Sequence, residues 1–300
     1  MIAPTNILKI GATANGTFYD VATLYGASIA EGTYKAVLQW PQMKTPESND
    51  WAEEDGLEYD FDTLHYQSRT LQLTLWFADE GGTSGSCDEF VAWLTEAATR
   101  YYRFVELSRT YQLRLKGVSS YTDYDGLKKI VLSLAEPQPL ALTQSGNTAR
   151  MSYADTGIVL KGTISGTAFT KDLAKFDCRT LNGTDQLGVR GEFKENVTYT
   201  SKFIDGEVYS DNPTFAVGDT RSRRKTGTFK VQLLMRSDTT AHLLTNFDAL
   251  QKHCFYARAI QMDGKEYGAF YQSMQVMDFA IPDWLNFTIT FTLTGEQTEL

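Results

Sequence analysis

Leu71-Gln72-Leu73-Thr74-Leu75-Trp76-Phe77 places an apolar residue at every second position. That is the period of a strand with one buried face. The same alternation returns as Phe229-Lys230-Val231-Gln232-Leu233-Leu234-Met235. The segments flanking this pair also recur, and an internal repeat decides an architecture more firmly than any one element.

A helix follows in each half. Ser86 and Glu89 have the spacing of a capping box. Phe90, Trp93, Leu94, Ala97 and Tyr101 then fall on one helical face. In the second half Asp238 stands at an N-cap position, and Leu243, Phe247, Leu250 and Cys254 share a face. A hairpin comes next. Residues 103–107 and 110–118 flank Ser108-Arg109, and residues 255–262 and 265–270 flank Asp263-Gly264. Asp-Gly suits a tight hairpin because both central residues need φ > 0; the Ser-Arg turn is read by analogy with it. Ile130, Leu132 and Leu134 close the first half, and Phe287, Ile289, Phe291 and Leu293 the second.

Spacing agrees between the halves. Leu71 to Leu134 spans 64 residues and Phe229 to Leu293 spans 65. Upstream, Asp55-Gly56-Leu57-Glu58-Tyr59 is echoed by Asp205-Gly206-Glu207-Val208-Tyr209, and Gly32-Thr33 by Gly183-Thr184. Pro137, Pro139, Ser145, Gly146 and Asn147 form a linker-type cluster between the copies. The expected organisation is two tandem domains, 1–142 and 143–300. Each is mainly β with one helix per repeat: six or seven antiparallel strands in a small split barrel or sandwich, the helix covering an open end or face.

Composition narrows the function. With 42% hydrophobic and 22% charged residues, the chain can bury a core and is not a disordered polyelectrolyte. A net charge of −9 argues against a general nucleic-acid binder. No run of 18 apolar residues occurs, so no transmembrane helix and no membrane partner are expected. Met1-Ile2-Ala3-Pro4-Thr5 does not open a Sec-type signal peptide. Cys87, Cys178 and Cys254 are odd in number and far apart, which suits a reducing compartment. Phe and Tyr supply 17 and 16 residues, a β-rich bias, beside only 3 His.

Catalytic and metal-binding constellations are not expected. His65, His242 and His253 lie in different elements, and no H-x-x-x-H or C-x-x-C occurs. His253 and Cys254 are neighbours, so they point different ways; Cys254 is expected in the core and His253 exposed. The acidic stretch Glu47, Asp50, Glu53, Glu54, Asp55, Glu58, Asp60, Asp62 lacks the spacing of an EF-hand loop. Asp60 and Asp62 could still share a strand face and hold a cation, or stand on one side of a glycosidase cleft. Asn15, Asn182, Asn196 and Asn286 begin N-x-T triplets, read as Thr-rich β sequence. Residues 81–85 form a Gly-rich loop without the lysine of a phosphate-binding loop.

Charge is unevenly shared. Residues 1–150 carry 12 Lys+Arg against 19 Asp+Glu, and residues 151–300 carry 16 against 18. The second copy has Arg221, Arg223, Arg224 and Lys225 where the first has its acidic stretch. Asp50, Glu53, Glu54 and Asp55 are therefore candidate inter-subunit contacts for Arg221, Arg223, Arg224 and Lys225 of a neighbouring copy. Opposite patches at matched positions would register a ring.

The order of acidic loop with D-G-x-x-Y, alternating strand, capped helix, hairpin and closing strand resembles the tail-tube domain of tailed bacteriophages, found in tube, distal tail and baseplate hub proteins. The resemblance rests on residues 26–44, 55–59, 71–77, 90–102 and 130–137, and in the second copy on 205–209 and 229–296. No galectin-like second domain is apparent, so the tandem is nearer to the hub type than to a typical distal tail protein. The resemblance implies a non-enzymatic virion component without cofactor. It would be assembled in the bacterial cytoplasm as a trimeric or hexameric ring at the tube–baseplate junction, next to tube, baseplate and fibre proteins. DNA would pass through the ring without specific binding. The other reading is a carbohydrate- or ligand-binding β module without catalysis, with exposed Trp40, Trp51 and Trp76 stacking on sugars.

Overall fold

The computed structural model describes residues 7–30, 32–49, 58–62, 64–78, 85–124, 127–139, 149–151, 153–180, 197–203, 224–262, 265–280 and 284–299. They divide into two compact units, residues 1–41 with 67–141 and residues 42–66 with 142–300.

The first unit contains β1 (Leu8–Gly11), β2 (Phe18–Asp20), α1 (Val21–Tyr25), β3 (Ala27–Ile29) and α2 (Thr33–Leu38). The chain then contributes β4 (Ser48–Asn49) and β5 (Glu58–Tyr59), an antiparallel ribbon that groups with the second unit. It returns as β6 (Arg69–Ala78), α3 (Cys87–Thr95), β7 (Arg100–Phe104), β8 (Arg109–Tyr124) and β9 (Leu127–Glu136). The strands form one antiparallel sheet in the order β2-β1-β7-β8-β9-β6-β3.

The second unit has β10 (Val159–Ile164), β11 (Thr167–Asp172), a 3-10 turn (Leu173–Phe176), β12 (Cys178–Thr180), β13 (Val197–Phe203), β14 (Arg224–Arg236), α4 (Thr240–Tyr256), β15 (Ala257–Met262), β16 (Lys265–Ala280) and β17 (Trp284–Glu299). Its order is β11-β10-β15-β16-β17-β14-β12, with β13 also paired to β14. The expected mainly β, two-domain class is what the structure shows.

The register equates the two sheets position by position. Leu71, Leu73 and Leu75 face Leu134, Leu132 and Ile130. Phe229, Val231 and Leu233 face Phe291, Ile289 and Phe287. Leu134 thus corresponds to Phe291, not to the Leu293 that spacing suggested. Asp20 and Asp172 close β2 and β11 in the same register, opposite Lys9 and Val159. Both cap the helical turn that follows. Asp20 Oδ1 accepts from the Ala22 and Thr23 N–H groups at 3.0 and 3.3 Å, and Asp172 Oδ1 accepts from Ala174 N–H at 2.8 Å. Each turn stops at a left-handed residue, Gly26 (φ 66°) or Asp177 (φ 59°).

The cores lie between each sheet's inner face and its long helix. Leu71, Leu73, Leu75 and Phe77 are buried, as are Phe229, Val231, Leu233 and Met235. Phe90 of α3 meets Phe77 at 5.4 Å, and Phe247 of α4 meets Phe287 at 5.3 Å between ring centroids. Each side chain of this size contributes about 1.5–3 kcal/mol on burial. The α3 capping box is present, with Glu89 Oε2 accepting from Ser86 N–H at 2.6 Å.

Three local expectations are corrected. Tyr101 belongs to β7, because α3 ends at Thr95. Thr239, not Asp238, caps α4; its hydroxyl accepts from His242 N–H at 3.2 Å. The first hairpin turns through Val105–Ser108, with Ser108 N–H bonded to Val105 O and Ser108 at φ 49°, so Arg109 is already in the strand. A further two-residue hairpin, Ser165-Gly166, joins β10 to β11 with both residues at positive φ (49° and 79°), the type I′ geometry.

Candidate interaction surfaces

The eight expected inter-subunit residues fall largely outside the described residues. Asp50, Glu53, Glu54, Asp55, Arg221 and Arg223 lie there entirely. Arg224 and Lys225 open β14, where their backbones pair with Phe203 and Lys202. The echoes at 183–184 and 205–209, residues 55–57 of the first motif and the Asp263-Gly264 turn also lie outside.

What is described of the acidic stretch has a destination. Tyr59-Asp60-Phe61-Asp62 alternates aromatic with acid. The Tyr59 and Phe61 rings lie 5.2 and 6.0 Å from Phe270 of β16. The Arg258 guanidinium sits over Phe61 at 4.7 Å. Tyr66 packs on Phe255 at 4.2 Å, and its hydroxyl accepts from Gln251 Nε2 at 3.3 Å. Burial holds the Tyr66 phenol above its ordinary range, so it stays neutral. Met43 N–H donates to Gln272 O at 3.1 Å. The described parts of segment 42–66 are thus fastened to the second unit by three aromatic anchors, Tyr59 and Phe61 on β16 and Tyr66 on α4. Sequence reading weighed its acids and the Asp55–Tyr59 motif; the alternation 59–62 was the signal for an apolar face.

Asp60 does not share a strand face with Asp62. Its carboxylate accepts from Asp62 N–H at 2.8 Å, so the two lie in a local turn and not along a strand. Among the described residues no group of three or more His, Cys, Asp or Glu is placed to hold a metal ion.

His253 is corrected from exposed to buried. Its ring stands edge-on to Phe169 and Phe176 at 4.8 and 5.0 Å, and its Nδ1–H donates to Ala249 O at 2.7 Å. α4 turns both His253 and Cys254 inward because that helix is buried over more than one face. Desolvation lowers the His253 pKa below its ordinary value. Burial likewise pushes the Cys87 thiol up to about 11 and raises Cys178 and Cys254 well above normal, so none is a ready nucleophile at neutral pH.

The aromatic-platform reading loses one member: Trp40 is 2% exposed. Trp51 lies outside the described residues, and Trp76 is half-buried beside Tyr124 at 5.6 Å. Asn286, the start of one N-x-T triplet, sits within β17 and accepts from Gln232 Nε2 at 3.0 Å. Among the described residues no helix is long and apolar enough to cross a membrane.

No family model matches the chain, and no curated protein matches it. It is similar to SPP1 Dit (gp 19.1), described as a paradigm of the hub adsorption apparatus in Gram-positive infecting phages. The two share 14% identity with a TM-score of 0.29, over 97% of this chain and 99% of that one. A likeness of that size fixes neither the fold nor the role of this chain.

Proposed function

We propose that this chain is a structural, non-catalytic subunit of a phage or prophage tail. It forms a ring at the tube–baseplate junction around the DNA lumen, as a distal tail or hub-type protein. The observation that carries the reading is the duplication: two sheets of the same strand order, equated in register down to the capping aspartates Asp20 and Asp172. A unit used twice in one chain gives two quasi-equivalent blocks, and heterologous contacts between such blocks form a ring where the rotation closes. Three chains supply six blocks for one ring; six chains supply two stacked rings. The tail-tube-like pattern at 26–44, 71–77, 90–102 and 130–137 gives the reading its biological setting. Its partners are other copies of itself and the tube, baseplate and fibre proteins, while DNA passes unbound. Immunogold labelling of tailed particles from the host tests this role. Gold confined to the distal end of the tail is the expected result. Labelling of heads only, or peptides of this chain missing from purified particles, would overturn it.

A further inference from the structure

The outward face of the first sheet carries five cations. Lys9 stands directly opposite Arg103 across β1 and β7. Arg114 lies on that face of β8, across from Ala135, which in turn faces Thr70. Lys116 Nζ reaches Thr70 Oγ1 at 3.5 Å, and Lys129 faces Trp76, its ammonium 5.4 Å from the ring. Arg103 lies over the Phe18 ring at 3.7 Å. The acid on the Lys9 row is Asp20, whose Oδ1 is taken up as an N-cap. Among the described residues no carboxylate forms an ion pair with any of the five.

Register assigns each cation a counterpart in the second unit: Val159 for Lys9, Gln261 for Arg103, Phe270 for Arg114, Gln272 for Lys116 and Asn286 for Lys129. All five counterparts are neutral. The paired core positions of β6 with β9 and of β14 with β17 stay apolar in both copies, while these five outer positions differ. Like charges set directly opposite, as at Lys9 and Arg103, work against the sheet's own stability. A face that keeps them is built to meet an anion.

We infer that the outer face of β1, β7, β8, β9 and β6 docks an acidic surface of a second copy of this chain. Two observations favour this partner. The chain is −9 overall, and residues 1–150 are net acidic even with these five cations included, so each copy offers the complementary charge in excess. Moreover, the counterpart face of the second unit already takes a protein segment: Tyr59 and Phe61 of an acid-rich stretch lie on Phe270, and Met43 bonds Gln272. Made head to tail, basic face to acidic surface, such a contact propagates or closes.

The inference rests on the ring reading but fails separately from it. Sedimentation velocity compares the wild type with Arg114→Glu/Lys116→Glu/Lys129→Glu and with the milder Arg114→Gln/Lys116→Gln/Lys129→Asn, each checked for native circular dichroism. Raising salt from about 0.1 M to about 1 M shortens the screening length from about 10 Å to about 3 Å. The wild type is expected to assemble at the lower salt and dissociate at the higher. Charge reversal should raise the midpoint concentration at least about tenfold, and neutralisation by less. Assembly that survives charge reversal, or ignores salt, removes this surface and leaves the ring reading standing. A wild type that stays monomeric throughout removes both. Binding of a short DNA duplex that is lost with charge reversal, while assembly is kept, would reassign the face to nucleic acid.

Discussion

Asp177 shows how much one buried carboxylate can organise. It sits at φ 59° where the first unit has Gly26, and is fully buried. Its Oδ1 accepts from the N–H groups of Arg150 and Met151, both at 2.9 Å, and its Oδ2 from Asn246 Nδ2 at 2.7 Å. His242 Nε2 stands 3.6 Å from the same oxygen. The carboxylate thus ties the start of the second unit to α4, and these hydrogen bonds balance its desolvation. His253 is the residue whose burial has a pH consequence. Because desolvation lowers its folded-state pKa, the unfolded chain binds a proton that the folded chain refuses as pH falls below the ordinary histidine value of about 6.5. Stability therefore declines on that side and is restored above it. The nearby cations Lys171 and Lys252 push in the same direction, against the Ala249 hydrogen bond. Urea denaturation from pH 8 down to pH 5 should show a loss in wild type that is smaller in His253→Phe; parallel curves would refute the assignment.

At the scale of elements, the two capping aspartates hold equivalent posts with unequal loads. Asp20 accepts two backbone N–H bonds, one part-buried and one exposed. Asp172 accepts from Thr156 N–H and Oγ1–H, Gly157 N–H and Ala174 N–H. Asp20→Ala should cost about 0.5–2 kcal/mol. Asp172→Ala should cost more, since each buried donor left unpaired adds about 1–3 kcal/mol. Chemical denaturation of both variants measures the difference, and equal losses would contradict the loads described. The long elements were legible in the sequence because Leu71–Phe77 and Phe229–Met235 carry an unbroken period of two and the helices show a stripe. The short ones were not. β1 and β2 hold 4 and 3 residues, too few for periodicity to accumulate. The aspartate echo at 20 and 172 therefore surfaced only through register. Ser165-Gly166 was readable as turn chemistry but lacked an expected strand on either side. The candidate contacts at 50–55 and 221–225 were chosen on charge alone. Alternation at Tyr59–Asp62 states that one face is apolar, but only tertiary structure says that Phe270 receives it. Phe61→Ala should accordingly free segment 42–66. Hydrogen exchange there should rise while β6 and β9 keep their protection; unchanged exchange would mean that Phe61 anchors nothing.

For the whole molecule, the duplication gives the charge a meaning that composition alone did not. The two units keep matched cores and matched strand orders, yet the five cations of one outer face are neutral in the other. Such divergence suits blocks that occupy similar places and meet different neighbours. It also ties the net charge to the proposed docking, since the chain is acidic overall and basic on one face. The proposed role requires this double unit to build a closed ring. Native mass spectrometry of the purified chain at low salt tests it most directly. A discrete species of three or six chains is expected, with ring-shaped particles in the same sample by negative-stain electron microscopy. A monomer at every concentration, or an open-ended distribution of oligomers with no closed species, would contradict it.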